Sequence, residues 1–554
     1  MPDYALQNHF VVEIEGLGRE DGVALMGDLI EVTVESSLHL PDVATIVLHD
    51  AALKWVDDRR VEPGKGIKLS AKAEEDDRPI FDGEIVEMEP EYSSATQRLT
   101  LRAFDRLHRL TRGHHVRSFQ NVTDGDLVQR IAREVRLTAK VGDASQVHPY
   151  VFQNNETNLA FLQGRAAALG YLLFAEGSEL HFEAAGAEPE TVELRWGETL
   201  QEFRPRLTTA SQVSGSTVRG WDPATRQAIV GQVQNGNGTP KVGESRRAGQ
   251  LAQEAFRIEA PLLTADRPIR TQAAADTLAQ AMADRRASRF IEAEGTCSGN
   301  SKLVAGTSVK LDNIGTRFNG TYYVTSARHV YTGEAGYTTH FSITGQNPAT
   351  LLALLASEPA AASARGLVIG IVTDNQDPDG QGRVKVKYPW LSPDHASDWA
   401  RVAVPGGGGG RGMQFLPEVN DEVLVGFELG DVHYPYVLGG LWNGRDKPPG
   451  EQGAVVSGGK VQQRLIKSRS GHTITLDDSD GSPGIRIEDK NGNVVHVDSS
   501  ANALTIKAKG DVKIEAQGNM SLKATGSMEV QGMGVKVNGG GGTVDVKGSI
   551  INLN

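Results

Sequence analysis

The residues best equipped for chemistry are few and scattered. His114-His115, His472 and His496 have no second ligand at metal spacing, and neither His-x-His nor His-Glu-x-x-His occurs. No protein-bound metal is expected. Cys297 is the single cysteine, which excludes an internal disulfide framework and a cysteine-based zinc site and leaves an inert thiol as the expectation. Asn375-Gln-Asp-Pro-Asp-Gly imitates the opening of a calcium loop, but Val386 stands where the closing bidentate Glu belongs, so a β-turn is the better reading. The run Gly406 to Gly410 has the glycine content of a phosphate cradle, yet Arg411-Gly follows it instead of Lys-Ser/Thr, and a flexible loop is expected. Tyr388, Trp390 and Trp399 could stack on bases or sugars, but without a basic groove they are expected to pack a barrel or its subunit contacts. Carboxylates are numerous, and no spacing places two of them at the separation glycoside hydrolysis needs. The chain offers no catalytic set and no cofactor site, and is expected not to be an enzyme.

Composition narrows the partners. The formal charge is -13 and no Lys/Arg cluster of the kind that neutralises phosphates is present, which argues against nucleic acid. The first residues, Met1-Pro-Asp-Tyr-Ala-Leu-Gln-Asn-His, have neither a basic nor an apolar leader segment, and no long apolar run follows. The expectation is a protein made and assembled in the cytoplasm, leaving it only inside a larger particle. At 554 residues, three or four folded units are expected, and 63 glycines point to frequent turning.

Those units can be placed from pattern. Residues 1–347 read as a mixed α+β body. Short alternating strands such as Phe10-Val-Val-Glu-Ile, Ile30-Glu-Val-Thr-Val and Gln97-Arg-Leu-Thr-Leu open it, and Glu74-Glu75-Asp76-Asp77 is expected at a solvated hairpin tip. Helices are expected over Asp126–Val135, Asn158–Leu169 with Asn158 as cap, and Thr271–Arg289. Strands are expected over Leu303–Leu311 and Thr321–Val330. Residues 348–365, Ala-rich and containing Pro359, read as a linker. Residues 366–445 hold five short strand patterns, beginning at Leu367, Gly382, Ala400, Asp421 and Pro435, which suggest a small closed barrel of the OB type. Residues 446–459 form a connector.

Residues 460–554 carry a repeat. Gly510, Gly518, Gly526, Gly534 and Gly542 recur with a period of eight. Between them stand apolar pairs one residue apart: Val512/Ile514, Met520/Leu522, Met528/Val530, Val535/Val537 and Val544/Val546. Ile485/Ile487, Val495/Val497 and Leu504/Ile506 precede them with looser spacing, and Ile551/Leu553 ends the series. Each unit reads as a short strand with inward residues and a glycine corner. A single-chain β-helix needs about 20 residues per coil to enclose a core, and eight residues at about 3.3 Å each supply one face only. Three chains supply three faces, so the period implies an intertwined trimeric prism, with His496 on its outside by alternation.

Several motifs in order then resemble the VgrG family and the spikes of contractile phages. They are Asp377-Pro-Asp-Gly-Gln-Gly-Arg-Val-Lys-Val-Lys-Tyr-Pro-Trp, Trp399-Ala-Arg-Val, Phe415-Leu-Pro-Glu-Val-Asn-Asp-Glu-Val-Leu-Val-Gly-Phe and Pro435-Tyr-Val-Leu-Gly-Gly-Leu-Trp-Asn. In the body, Gln153-Asn-Asn-Glu-Thr-Asn-Leu-Ala-Phe-Leu with Gly170-Tyr171, and Phe318-Asn-Gly-Thr-Tyr-Tyr-Val-Thr with His329, resemble the phage late-control D hub. The resemblance implies a homotrimer with tube-like β-barrels, two per chain, an OB-fold collar and a β-helical needle. It further implies inner-tube and baseplate partners, a PAAR-type tip protein or effector at the end of the needle, and only transient contact with the target membrane. Thr543, Val544, Ile550, Ile551, Leu553 and Asn554 would form the tip platform. In lysozyme-bearing spikes an enzyme sits between barrel and needle; here only Arg445 to Gly459 fills that place, and no effector domain is expected after Asn554.

The function expected on this basis is mechanical: the hub-spike of an extracellular phage-tail-like injection system, capping the inner tube, organising the baseplate centre and piercing the envelope. A type VI secretion spike or a phage tail spike shares the architecture. From other classes, a trimeric adhesin would need a binding head, and a tailspike-like glycan-degrading enzyme would have longer coils.

Overall fold

The computed structural model describes residues 9–72, 79–94, 96–184, 190–223, 225–237, 240–345, 366–389 and 396–552. The expected linker over 348–365, the acidic hairpin tip at Glu74–Asp77, Trp390, Leu553 and Asn554 lie outside the described residues. The architecture is mainly β, with helices in the N-terminal region. By internal packing the chain divides into Met1–Leu441 and Trp442–Asn554.

In the first unit, strands from sequence-distant stretches share a ten-stranded sheet. Its spatial order is His9–Ile14, Gly66–Lys72, Pro79–Tyr92, Gln97–Asp105, Val43–His49, Leu29–Ser37, Ser326–Thr332, Gly336–Ile343, Ile291–Ser298 and Leu200–Leu207. Period-two alternation drives the pairing: in Val43–His49 the residues Ala44, Ile46 and Leu48 are fully buried, and so are Leu99, Leu101 and Ala103 on the neighbouring strand. The seam between the early and late strands is antiparallel, with Val34 opposite His329 and Thr33 opposite Val330. Pro205 lies in the terminal strand Leu200–Leu207, where an edge tolerates its missing N–H. Among the described residues no ladder joins this strand to His9–Ile14, so the sheet is a curled half-barrel.

One end of the core is closed by Trp55, whose fully buried ring donates its Nε1 proton to Asp28 at 2.8 Å. The Asp50 carboxylate accepts from the Trp55 and Val56 amides. Asp28 ends a helix, Arg19–Gly27, that carries too little apolar periodicity to be read from sequence.

A helical insertion has its own core, built from Leu127, Val128, Ile131, Leu162 and Phe182. Its first helix runs Asp124–Glu134, with Thr123 and Asp126 forming a reciprocal capping box. The second runs Asn158–Leu169, but its cap is Thr157, which accepts from the Ala160 amide at 3.1 Å. Asn158 is buried instead, and its Oδ1 accepts from Arg117 and Gln153. The helix expected over Thr271–Arg289 spans Gln272–Ala287 with Thr271 as N-cap, and packs in a separate core with Val218, Ile229 and Ile269. The stretch expected as one strand over Leu303–Leu311 is extended only in Ser308–Asp312. That over Thr321–Val330 is broken into Gly320–Tyr323 and Ser326–Thr332.

The five collar strands are present: Lys385–Lys387, Val368–Asp374, Glu422–Phe427, Pro435–Gly440 and Arg401–Val402, in that spatial order. They curl around Val372, Val384, Val386, Tyr388, Ala400, Val423, Val425 and Val437. Isolated bridges, Val384 with Ala400 and Lys387 with Ala396, stand where a continuous ladder would complete a barrel, so this sheet too is only partly curled.

In the second unit a short helix, Gln452–Val455, and a small hairpin lead into a five-stranded antiparallel meander. Its strands are Gln463–Lys467, Thr473–Asp477, Gly484–Glu488, Val494–Asp498 and Ala503–Lys507, paired in chain order. Residues 508–552 form no helix or strand, and all are exposed.

Candidate assembly surface

The meander brings the early apolar pairs together. Ile474 stands opposite Ile487, Ile487 opposite Val495, and Val495 opposite Ile506, while Leu476, Ile485, Val497 and Leu504 form a parallel row. Ile466 extends the first row through its pairing with Ile474. All nine side chains share one face, because the register pairs them and alternation keeps them on the same side. That face is bare: exposure runs from 39% at Val495 to 64% at Leu504. Full burial of an exposed side chain of this size contributes about 1.5–3 kcal/mol, and these are roughly half exposed, so covering them would add about 1 kcal/mol each and the face is an unused source of stability. The opposite face carries Thr475, Arg486, His496 and Thr505. His496 therefore lies away from the apolar rows.

Sequence reading found Ile485, Ile487, Val495, Val497, Leu504 and Ile506 but missed Ile466, Ile474 and Leu476. Their strands alternate correctly, as Thr473-Ile-Thr-Leu-Asp shows, but the turns between them vary in length, so no fixed period marks them. What holds the hairpins is side-chain chemistry in those turns. Asp489 accepts from the Asn491 and Asn493 amides, and Asp498 from those of Ser500 and Ala501. Backbone donors, from Asn493 and Ala501 foremost, hold both carboxyls below the usual carboxylate range.

Beyond the meander the apolar pairs continue without partners: Val512 is 60% exposed, Leu522 75% and Val537 72%. Ile514, Met520, Met528, Val530, Val535, Val544 and Val546 are likewise exposed. Gly510, Gly518, Gly526 and Gly534 would meet nothing within 4 Å if they carried a Cβ. Neither they nor Gly542 adopts left-handed backbone, which is confined in this stretch to Gly540 and Gly541. In the single chain these corners are thus not forced by local backbone. Of the expected tip platform, Thr543, Val544, Ile550 and Ile551 are exposed.

The chemically suggestive residues of the first unit serve the fold. Asp377 accepts from the amides of Asp379, Gln381 and Arg383, and its carboxylate takes the Arg383 guanidinium at 2.6 Å. The Arg383 hydrogen bonds hold this carboxyl far below the usual range. All its lone pairs face its own loop, so the Asp-Pro-Asp-Gly turn is a structural staple. Gly408 and Arg411 bridge each other across the glycine run. Tyr388 is buried against Phe427, and Trp399 lies under the Lys385 ammonium, 5.0 Å from the ring centre. Cys297 is fully buried, which pushes its thiol up to about 12. Among the described residues no group of three or more His, Cys, Asp or Glu is placed to hold a metal ion. No described helix is long and apolar enough to cross a membrane.

The arrangement defines a class of structural assembly proteins, with a self-sufficient β body, a small curled collar sheet and an apolar stalk left open. Comparison with known proteins agrees. Residues 368–442 match the type VI secretion system/phage-baseplate injector OB domain, and residues 11–333, more than half of the chain, match the Alg8 N-terminal domain. The type VI secretion system spike protein VgrG5 of Pseudomonas aeruginosa is 34% identical over 121 residues, covering 21% of this chain and 14% of that protein. VgrG1a of the same species is 33% identical over 122 residues, covering 21% and 17%. The matched stretch thus spans less than a fifth of these relatives. Among solved structures, an E. coli protein described as a component of the type VI secretion system, with similarity to T4 bacteriophage tail proteins gp27 and gp5, has a TM-score of 0.51 at 16% identity. It covers 78% of this chain and 99% of that one, a likeness of fold. The chain belongs to the Alg8 N-terminal domain family, and it matches the VgrG and phage-tail-like spike and baseplate proteins at family level.

Proposed function

We propose that this protein is the trimeric hub-and-spike of a contractile injection machine. The observation that carries the proposal is the series of apolar residues from Ile466 through the octad pairs to Val546, all of which one chain leaves exposed. Two further copies would cover it: three chains winding together would bury each inward pair and share backbone hydrogen bonds around a common core. The result is a narrow rod that resists buckling when a sheath drives it forward, and it needs no chemistry.

In this reading residues 1–347 are the hub, 348–365 a linker, 366–445 the collar, 446–459 a connector and 460–554 the needle. The half-barrel of the body would complete its tube-like form against neighbouring copies, giving the hub the pseudo-sixfold shape that an inner tube and baseplate require. The bridges at Val384 and Lys387 would tighten into a closed OB barrel in the collar. The segments Thr543–Val546 and Ile550–Leu553 would become the apical strands of the assembled needle and seat a tip protein or effector. Assembly would take place in the cytoplasm, with the mature particle released or retained as its system dictates. The curated relatives are type VI secretion spikes, which supports that system as a second assignment for the same architecture.

Cross-linking tests the proposal. In the full chain carrying Ile514→Cys, a trivalent maleimide should join three copies, because inward positions converge on the axis. The outward neighbour Lys513→Cys should give mainly singly modified chains. Equal products from both variants, or none above background, would remove the three-chain prism.

A further inference from the structure

Within the first unit, the turn between the strands Glu422–Phe427 and Pro435–Gly440 reaches from the collar sheet to the body. It is an unusual turn: Leu429 and Gly430 both adopt left-handed backbone, at φ 51° and 82°. Contacts from the body hold it in place. Arg270, just ahead of the helix Gln272–Ala287, pairs with Glu428, and its guanidinium lies over the Tyr434 ring at 4.8 Å. Tyr436 donates its hydroxyl proton to the same Glu428 carboxylate at 2.6 Å.

The centre of the contact is His433. Its Nδ1 lies 2.5 Å from Asp431 Oδ1, and the same oxygen accepts the His433 amide at 3.0 Å. A carboxylate accepts only, so the Nδ1 proton is fixed and the Nε2 lone pair is free to accept. It receives the Phe152 amide of the body at 2.9 Å. Among the described residues the strand Val147–Glu156 pairs only with His115–Thr123, so this amide belongs to a strand edge that the imidazole caps. Tyr150 presents its ring edge-on to the imidazole, with centroids 6.1 Å apart.

We propose that this turn is a proton-operated latch between body and collar: one proton taken from solvent by Nε2 of His433 converts that atom from acceptor to donor and breaks its bond to the Phe152 amide. Two N–H groups then face each other, while the Nδ1 bond to Asp431 survives. The latch is closed when the imidazole is neutral and opens on acidification. The imidazole is partly open to solvent, with 28% of its side chain accessible, so the proton has a path. Asp431 on the same turn and Glu156 at the end of the body strand both lie within electrostatic reach of the imidazole. Asp431 is held as a carboxylate below the usual range despite its burial, with His433 as the main hydrogen-bond partner responsible. Arg267 acts on Asp431 from the body, and Asp398, ahead of the collar strand Arg401–Val402, acts on Tyr150 and Tyr434. The Arg270–Glu428 pair and the Tyr436 bond to Glu428 do not involve the imidazole, so opening loosens the joint without detaching it.

Hydrogen exchange of the full chain between pH 8 and pH 5, corrected for intrinsic exchange rates, tests the latch. Over that interval imidazoles as a class take up a proton. Protection at Phe152 should fall about tenfold or more on acidification while the strand Val43–His49 stays protected. In His433→Gln, whose amide oxygen accepts but is not protonated at these pH values, the fall should disappear. Asp431→Asn, which releases the tautomer, should lower Phe152 protection already at pH 8. A fall of the same size in His433→Gln, or unchanged protection in the native chain, overturns the latch. The readout needs only one folded body and collar, so it stands or falls separately from the trimer.

Discussion

The ten-stranded sheet of the body and the five-stranded meander of the C-terminal unit use the same device, antiparallel strands alternating apolar and polar side chains. In the body, Ala44, Ile46, Leu48, Leu99 and Leu101 are covered by the chain itself and have no exposed surface. In the meander, Ile474, Leu476, Ile485 and Ile487 face outward at 40% to 49% exposure. Alternation specifies a face, and only the rest of the chain, or another chain, decides whether that face is covered. The body has a helix, a buried tryptophan and a curled sheet to close its core. The stalk has nothing but its own repetition.

Breaking the two regions separately should give opposite results. The largest effect is expected from Val512→Asp with Ile514→Asp, which sets charges along the track. Association should be lost, read as a fall to monomer mass, while the unfolding midpoint of the body stays where it was. Trp55→Ala should do the reverse. It removes a fully buried ring and its bond to Asp28, and should cost about 3–5 kcal/mol in denaturant unfolding of the body without altering subunit number in the folded fraction. Arg383→Ala leaves the Asp377 carboxylate, 4% exposed, without its guanidinium and should destabilise the collar by about 3 kcal/mol.

The pH dependence of that staple has a definite sign. Arg383 depresses the folded-state pKa of Asp377, so its contribution is complete above the ordinary carboxylate value near ~3.9 and is lost as pH falls toward the depressed one. Collar stability in the native chain should therefore decline below about pH 4, and that decline should be shallower in Arg383→Ala. Thr157→Ala, which removes a helix cap, should cost about 1 kcal/mol. The smallest effect sharpens the comparison most finely. Gly526→Ala meets open space and ordinary backbone in one chain and should leave the monomer unchanged, so any measurable loss on assembly would place a neighbouring chain at that corner.

Local signals carried much of the architecture. The collar strands were legible because each is bounded by Gly, Pro or Asp, and the octad repeat because its period is fixed. Long-range pairing was not legible: nothing local tells Leu29–Ser37 that its neighbour is Ser326–Thr332. Thr157 and Asn158 are both good capping residues, and the choice fell to Thr157 because Asn158 is needed by Arg117 and Gln153. The early apolar pairs were read as needle turns, whereas the single chain folds them as a meander through Asx turns at Asp477, Asp489 and Asp498. Of the candidate site, six residues of the apolar rows could be named from alternation, but the two-row geometry that unites Ile466 with Ile506 required the register. The His433 contact spans 281 positions and left no trace in any motif.

The central claim is that the stalk is completed by other copies of the same chain, and mass in solution tests it most directly. Light scattering should be run on the full protein and on a truncation ending near Gly450. The account predicts a stable species of three times 59.4 kDa for the full chain, weakening or dissociating when residues 451–554 are removed. A full-length monomer, folded and protease-resistant through to Val546, would contradict it.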